Sequence, residues 1–81
     1  MKKDYKNAVI QYDKVIQNYP NSFKIPSARV QKGLALLALG QKSAGVRELR
    51  EVIRSYPDTD EARLARSKLR HMGASASPAA H

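Results

Sequence analysis

The amino-acid sequence predicts an all-α fold in which antiparallel helix pairs stack into a short solenoid of about four helices. Three observations predict it. The segment Val15-Ile16-Gln17-Asn18-Tyr19-Pro20-Asn21-Ser22 returns as Val52-Ile53-Arg54-Ser55-Tyr56-Pro57-Asp58-Thr59, displaced by 37 residues, the separation of Val15 from Val52. Val9 and Val46, Tyr12 and Leu49, and Ala28 and Ala65 extend the echo at the same spacing. Between these marks apolar residues recur at steps of three and four, the period of a helix with one buried face. A single helix pair cannot cover such a face, so a repeat of this length implies stacking.

The first helix is expected over residues 4–18. Tyr5, Ala8, Val9, Tyr12, Val15, Ile16 and Tyr19 form its stripe, Asp4 offers an N-cap oxygen and Pro20 forbids continuation. A second is expected over 22–39, with Ser22 as a capping residue and Pro26 near its start, where the missing N–H costs nothing. It is apolar nearly all round, so it should be the central helix. Gly33 within it admits a close neighbour, and Gly40 ends it. The third helix, over 42–55, is marked by Ala44, Val46, Leu49, Val52, Ile53 and Tyr56 on one stripe and stops at Pro57. The fourth, over 59–72, opens on Thr59 as cap, with Asp60 and Glu61 favoured by the helix dipole, and buries Ala62, Ala65, Leu69 and Met72.

Residues 1–72 therefore read as one domain, a full repeat flanked by two half repeats. The small-residue tail 73–81 has nothing to bury and is expected to be disordered. In the repeat register the first helix is the second member of a pair and the fourth is the first member of another. The first helix should then be only partly covered, which predicts self-association or marginal stability as a monomer.

Fifteen Lys and Arg against seven Asp and Glu give a formal charge of +8. The basic residues are spread along the whole chain, so they read as solvated helix surface that biases the choice of partner. That spread argues against a nucleic-acid arm. There is no cysteine, so no disulfide or thiolate site can form. No apolar stretch is long enough for a membrane span. Asp4 and Lys6 interrupt any signal-peptide core that Met1-Lys2-Lys3 would open.

Gly33, Leu36, Gly40, Leu49, Val52 and Pro57 stand where tetratricopeptide repeats carry their characteristic small, apolar and proline residues. Asp4-Tyr5, Ala8, Tyr12, Val15 and Pro20 fit the second-helix pattern of that family. The chain resembles it over about residues 4–72. Two positions depart: Arg29 replaces a large aromatic, and Gly45 replaces alanine, which should weaken the third helix by about 1 kcal/mol. The longer period and the pattern Tyr19-Pro20-x-Ser22, Ala28, then Tyr56-Pro57-x-Thr59, Ala62, Ala65, resemble the C-terminal domain of the Tol–Pal system protein YbgF (cell division coordinator CpoB) family. They resemble, less closely, the outer-membrane assembly lipoprotein BamD. The first resemblance implies a periplasmic scaffold with a TolA-like partner, coordinating envelope constriction with peptidoglycan synthesis at division. It also implies that the chain is part of a longer protein.

Catalysis and cofactor binding find no support. His71 and His81 lack companions at metal-ligand spacing, the glycines form no phosphate loop, and no serine stands in a triad pattern. The four tyrosines lie on apolar stripes and read as core, not base-stacking platforms. The candidate surface comes from the resemblance, which places the first helix of each pair along a concave groove. On that face stand Val30, Leu34 and Leu37 of the second helix and Ser67 and His71 of the fourth. An apolar groove suits an extended peptide or partner helix. Val30, Leu34 and Leu37 fit packing against a neighbouring helix equally well.

Overall fold

In a computed structural model, which describes residues 4–73, the chain is four helices. They are α1 (Tyr5–Asn18), α2 (Ile25–Ala38), α3 (Lys42–Ser55) and α4 (Asp60–His71), with no strand among the described residues. The tail expected to be disordered lies, beyond Gly73, outside them.

The repeat is visible in the backbone. Tyr19 ends α1 at φ −132°, ψ 59°, and Tyr56 ends α3 at φ −134°, ψ 57°. Each precedes a proline, whose ring bars its neighbour from helical geometry. Each still donates its N–H back one turn, to Val15 O at 2.9 Å and Val52 O at 2.8 Å. Asp4 caps α1 by accepting from Asn7 N–H at 3.0 Å, and Thr59 caps α4 by accepting from Ala62 N–H at 3.1 Å.

Ser22, the counterpart of Thr59, does not cap α2, which begins at Ile25 and not at 22. Its hydroxyl accepts from Lys24 N–H (3.1 Å) and its carbonyl from Ile25 N–H (3.1 Å), so Ser22 shapes a turn ahead of the helix. Lys24 then holds the cap position without a side-chain bond, and Pro26 fills the second helical position. At the other end Gly40, at φ 82°, closes α2. Gly40 N–H reaches Leu37 O (3.0 Å) and Gln41 N–H reaches Leu36 O (2.9 Å), the paired bonds of a Schellman cap.

α2 packs against all three other helices, as its all-round apolar surface requires. The core joins Val30 of α2 to Val46, Leu49, Val52 and Ile53 of α3 and to Ala62, Ala65 and Leu69 of α4. Leu49 is completely buried. Where α2 crosses α3, a Cβ at Gly33 would lie 3.1 Å from Leu49 Cδ2, so Gly33 does admit a close neighbour.

Gly45 corrects an expectation. A Cβ there would meet Leu37 Cδ2 at 2.7 Å and Gly33 O at 2.9 Å. The missing methyl is therefore what lets the helices approach, and propensity is overridden by packing. Tyr19 is a second correction: it is 64% exposed, carried past the stripe by the pre-proline turn.

α1 and α3 have matching stripes but different fates. α3 buries Gly45, Val46, Leu49, Val52 and Ile53, whereas no residue of α1 is buried. α3 is held between α2 and α4; α1 packs against α2 alone.

Candidate protein-interaction surface

A trough of about 930 Å³ runs along α1 and α2 and reaches α4. Tyr5, Ala8 and Tyr12 form the α1 wall, Gln31, Leu34, Leu37 and Ala38 the α2 wall, and Lys68 the edge on α4. It lies where α1 packs against α2 with no other described helix against α1. Past Tyr12 the same face continues to Val15, opposite Phe23, Lys24, Ser27 and Ala28, with Glu61 alongside. Phe23 is 88% exposed, held out by the Ser22 turn.

Of the candidates named from sequence, Leu34 and Leu37 are half-buried and line this trough. Val30 does not. It is 1% exposed, enclosed by the α3 and α4 side chains of the core, and so it serves packing and not the groove. Ser67 and His71 are exposed on α4 but outside the lining. They are linked to each other, His71 Nδ1 donating to the Ser67 carbonyl at 2.8 Å, which orients the imidazole along its own helix. Gln31, Ala38 and Lys68 were not singled out in the sequence. Their signal was the helical spacing of Gln31, Leu34 and Ala38, which places them on one face.

A second polar cluster ties three helices together. Arg29 Nη1 meets Glu48 Oε1 at 3.0 Å, and Lys32 Nζ meets Asp13 Oδ1 at 2.6 Å and Glu48 Oε2 at 3.4 Å. Arg29 is thus held against α3 by its pairing with Glu48. Lys32 and Glu48 retain little exposure, 19% and 16% of their side chains, so their attraction is only partly screened by water. Burial, the largest influence on Lys32, opposes its charge. The Asp13 hydrogen bond and the nearby Glu48 and Asp13 carboxylates outweigh it and hold the ammonium above the usual lysine range. On α3, Glu51 accepts from Ser55 Oγ (2.6 Å) and Arg54 Nη2 (2.6 Å), and these bonds lower its carboxyl below the usual range. Asp60 and Arg63 pair in the first turn of α4.

Among the described residues no group of three potential metal ligands occurs, and no described helix is long and apolar enough to cross a membrane. A stack of short helices with an open apolar trough is the architecture of a helical-repeat protein. The Tetratricopeptide repeat family model matches residues 1–22 and 27–59, and the chain belongs to that family, whose repeats generally mediate protein–protein interaction. No curated protein and no solved structure matches the chain.

Proposed function

We propose that the chain is a non-enzymatic scaffold that receives an extended peptide or helix of a protein partner on its α2–α4 face. Leu34 carries this reading: an apolar side chain left half-open in a trough that Leu37 also lines, with Gln31 and Lys68 as its polar members. Apolar floor and polar rim are what peptide-binding helical grooves use. More finely, we propose a periplasmic role in the Tol–Pal system, with a TolA-like partner, coordinating envelope constriction and peptidoglycan synthesis at cell division. The Tyr-Pro-x-Ser/Thr turns and the 37-residue spacing of Val15 and Val52 support that assignment. A BamD-like scaffold of outer-membrane assembly shares the same turns.

Titration calorimetry against a TolA-like periplasmic domain tests the fine assignment. Leu34→Glu should weaken binding at least ~10-fold while leaving helicity unchanged. Equal affinity of the two proteins would remove the groove from the reading, and no binding at all would remove the partner.

One observation favours a second reading, nucleic-acid binding. Lys42, Arg47, Arg50 and Arg54 border a shallow depression on α3. Glu51 sits among them and bonds Arg54, which dilutes the patch. Phosphate contacts would give a duplex-DNA affinity that falls steeply with salt; no association with duplex DNA even at low salt supports the protein-binding reading.

A further inference from the structure

No described helix lies on α1 in the place that α2 takes on α3. The repeat allows the comparison residue by residue. Gly45 and Leu49, which α2 covers, stand 37 positions after Ala8 and Tyr12, which line the open trough. With Tyr5 and Val15 at its ends, the half-buried wall is about 15 Å long at 1.5 Å per residue, enough for about three turns of a docked helix. α1 is therefore shaped to accept a helix side by side, with Ala8 as the point of closest approach.

Charge and symmetry identify that helix. From its Asp4 cap onward, α1 carries Lys6 and Lys14 against Asp4 and Asp13, a neutral element in a chain of charge +8. A second α1 meets no net like charge on this helix, and an acidic partner finds only Lys68 of α4 at the edge. Tyr5, Ala8 and Tyr12 run large, small, large about Ala8. An antiparallel copy of the same helix, related by a two-fold axis at Ala8, sets small residue on small residue, as an isologous interface requires. The opposite end of the molecule offers no such match. In the repeat register an exposed arginine, Arg70, stands where Gly33 stands on α2. α4 cannot then serve another copy's α1 as α2 serves α3, and head-to-tail stacking into an open solenoid fails.

We propose that the chain forms a closed two-fold dimer through α1, with Ala8 at the axis. A second α1 seated on Ala8 and Tyr12 fills the trough that Leu34 and Leu37 also line, so the dimer competes with the partner-binding reading and is tested apart from it.

The natural absence of cysteine makes the test direct. Ala8→Cys should form a disulfide-linked dimer under mild oxidation, because closely packed helices bring the paired Cα atoms within the ~5–7 Å that a disulfide spans. Arg70→Cys, on the excluded face, should cross-link at least ~10-fold more slowly, lacking the raised effective concentration. Sedimentation equilibrium of the unaltered chain should give twice the 9.0 kDa monomer mass, and Ala8→Lys should return it to monomer with unchanged far-ultraviolet helicity. If Ala8→Lys unfolds, the cysteine pair still decides the matter. A monomer at high concentration, whether α1 stands bare or an additional helix covers it, overturns the proposal. So do open-ended polymers, or equal cross-linking of the two cysteine variants.

Discussion

Gly33 and Gly45 face each other across the crossing of α2 and α3, each presenting its carbonyl where the other's Cβ would stand. The separation is 2.9 Å from Gly33 O to a Cβ built on Gly45 and 3.2 Å from Gly45 O to one built on Gly33. The pair sets the distance between the two helices, and Leu37 and Leu49 close over it from either side. An intrinsically weak helix residue is thus a condition of the core, because the contact it permits lies between backbones that cannot move aside.

Gly45→Ala should therefore destabilise the fold, against the helix-propensity gain of about 1 kcal/mol that alanine brings. Overpacking at such a crossing costs about 1–3 kcal/mol, and the rigid Gly33 carbonyl at 2.9 Å leaves little room for relief. A lower urea midpoint with unchanged slope is the expected result. An unchanged or higher midpoint would mean that Leu37 yields and the crossing is looser than it looks.

Leu49→Ala should cost about 2–5 kcal/mol. Leu49 is completely buried, touches the Gly33 crossing and belongs to the cluster that joins α3 to α4. At roughly 0.05–0.15 kcal/mol per residue, that is a large part of the stability a domain of this size holds. Loss of the cooperative thermal transition is expected; a cost under about 1 kcal/mol would contradict the burial.

Helix existence, order and most boundaries were legible because they follow local rules. Pro20, Pro57 and Gly40 stop chains wherever they stand, and the stripes of α1 and α3 carry their own period. The incomplete covering of α1 was legible too, from its place in the repeat. What escaped depends on partners far along the chain. Val30 has the spacing of a groove residue, yet α4 closes over it. Gly45 reads as a defect until Gly33 is seen opposite. Arg29 and Lys32 read as ordinary surface cations, and only the meeting of α1, α2 and α3 brings Asp13 and Glu48 to them. Ser22 matches Thr59 in sequence, but the turn ahead of α2 takes its hydroxyl first.

That last difference is measurable. Thr59→Ala removes the bond to Ala62 N–H, together with the hydroxyl's own donation to Tyr56 O at 2.7 Å, and should cost about 0.5–2 kcal/mol, the range for lost N-caps. Ser22→Ala removes a bond to one exposed turn N–H and should cost a few tenths of that range's upper end, about 0.5 kcal/mol at most. Equal losses in paired denaturation curves would restore Ser22 as the cap of α2.

The pH dependence of stability should be bounded by Lys32 and Glu51, with opposite signs. Lys32 is held above the ordinary lysine value of 10.5 in the folded chain, so folding favours its proton. Its contribution is complete below that value and disappears as pH rises through the higher folded value. Glu51 lies below the ordinary 4.5, so folding favours its anion. That contribution is complete above 4.5 and is lost as pH falls through the lower folded value. Lys32→Met keeps the apolar stem and removes the charge. The gap in urea midpoint between the unaltered chain and this variant should be constant from about pH 6 to about pH 9 and shrink above the lysine range. Ser55→Ala, which takes one hydrogen bond from Glu51, should narrow the acid-side loss without touching the alkaline one. A Lys32→Met gap that stays constant into strong alkali would show that the contacts with Asp13 and Glu48 contribute nothing to the folded state's hold on that proton.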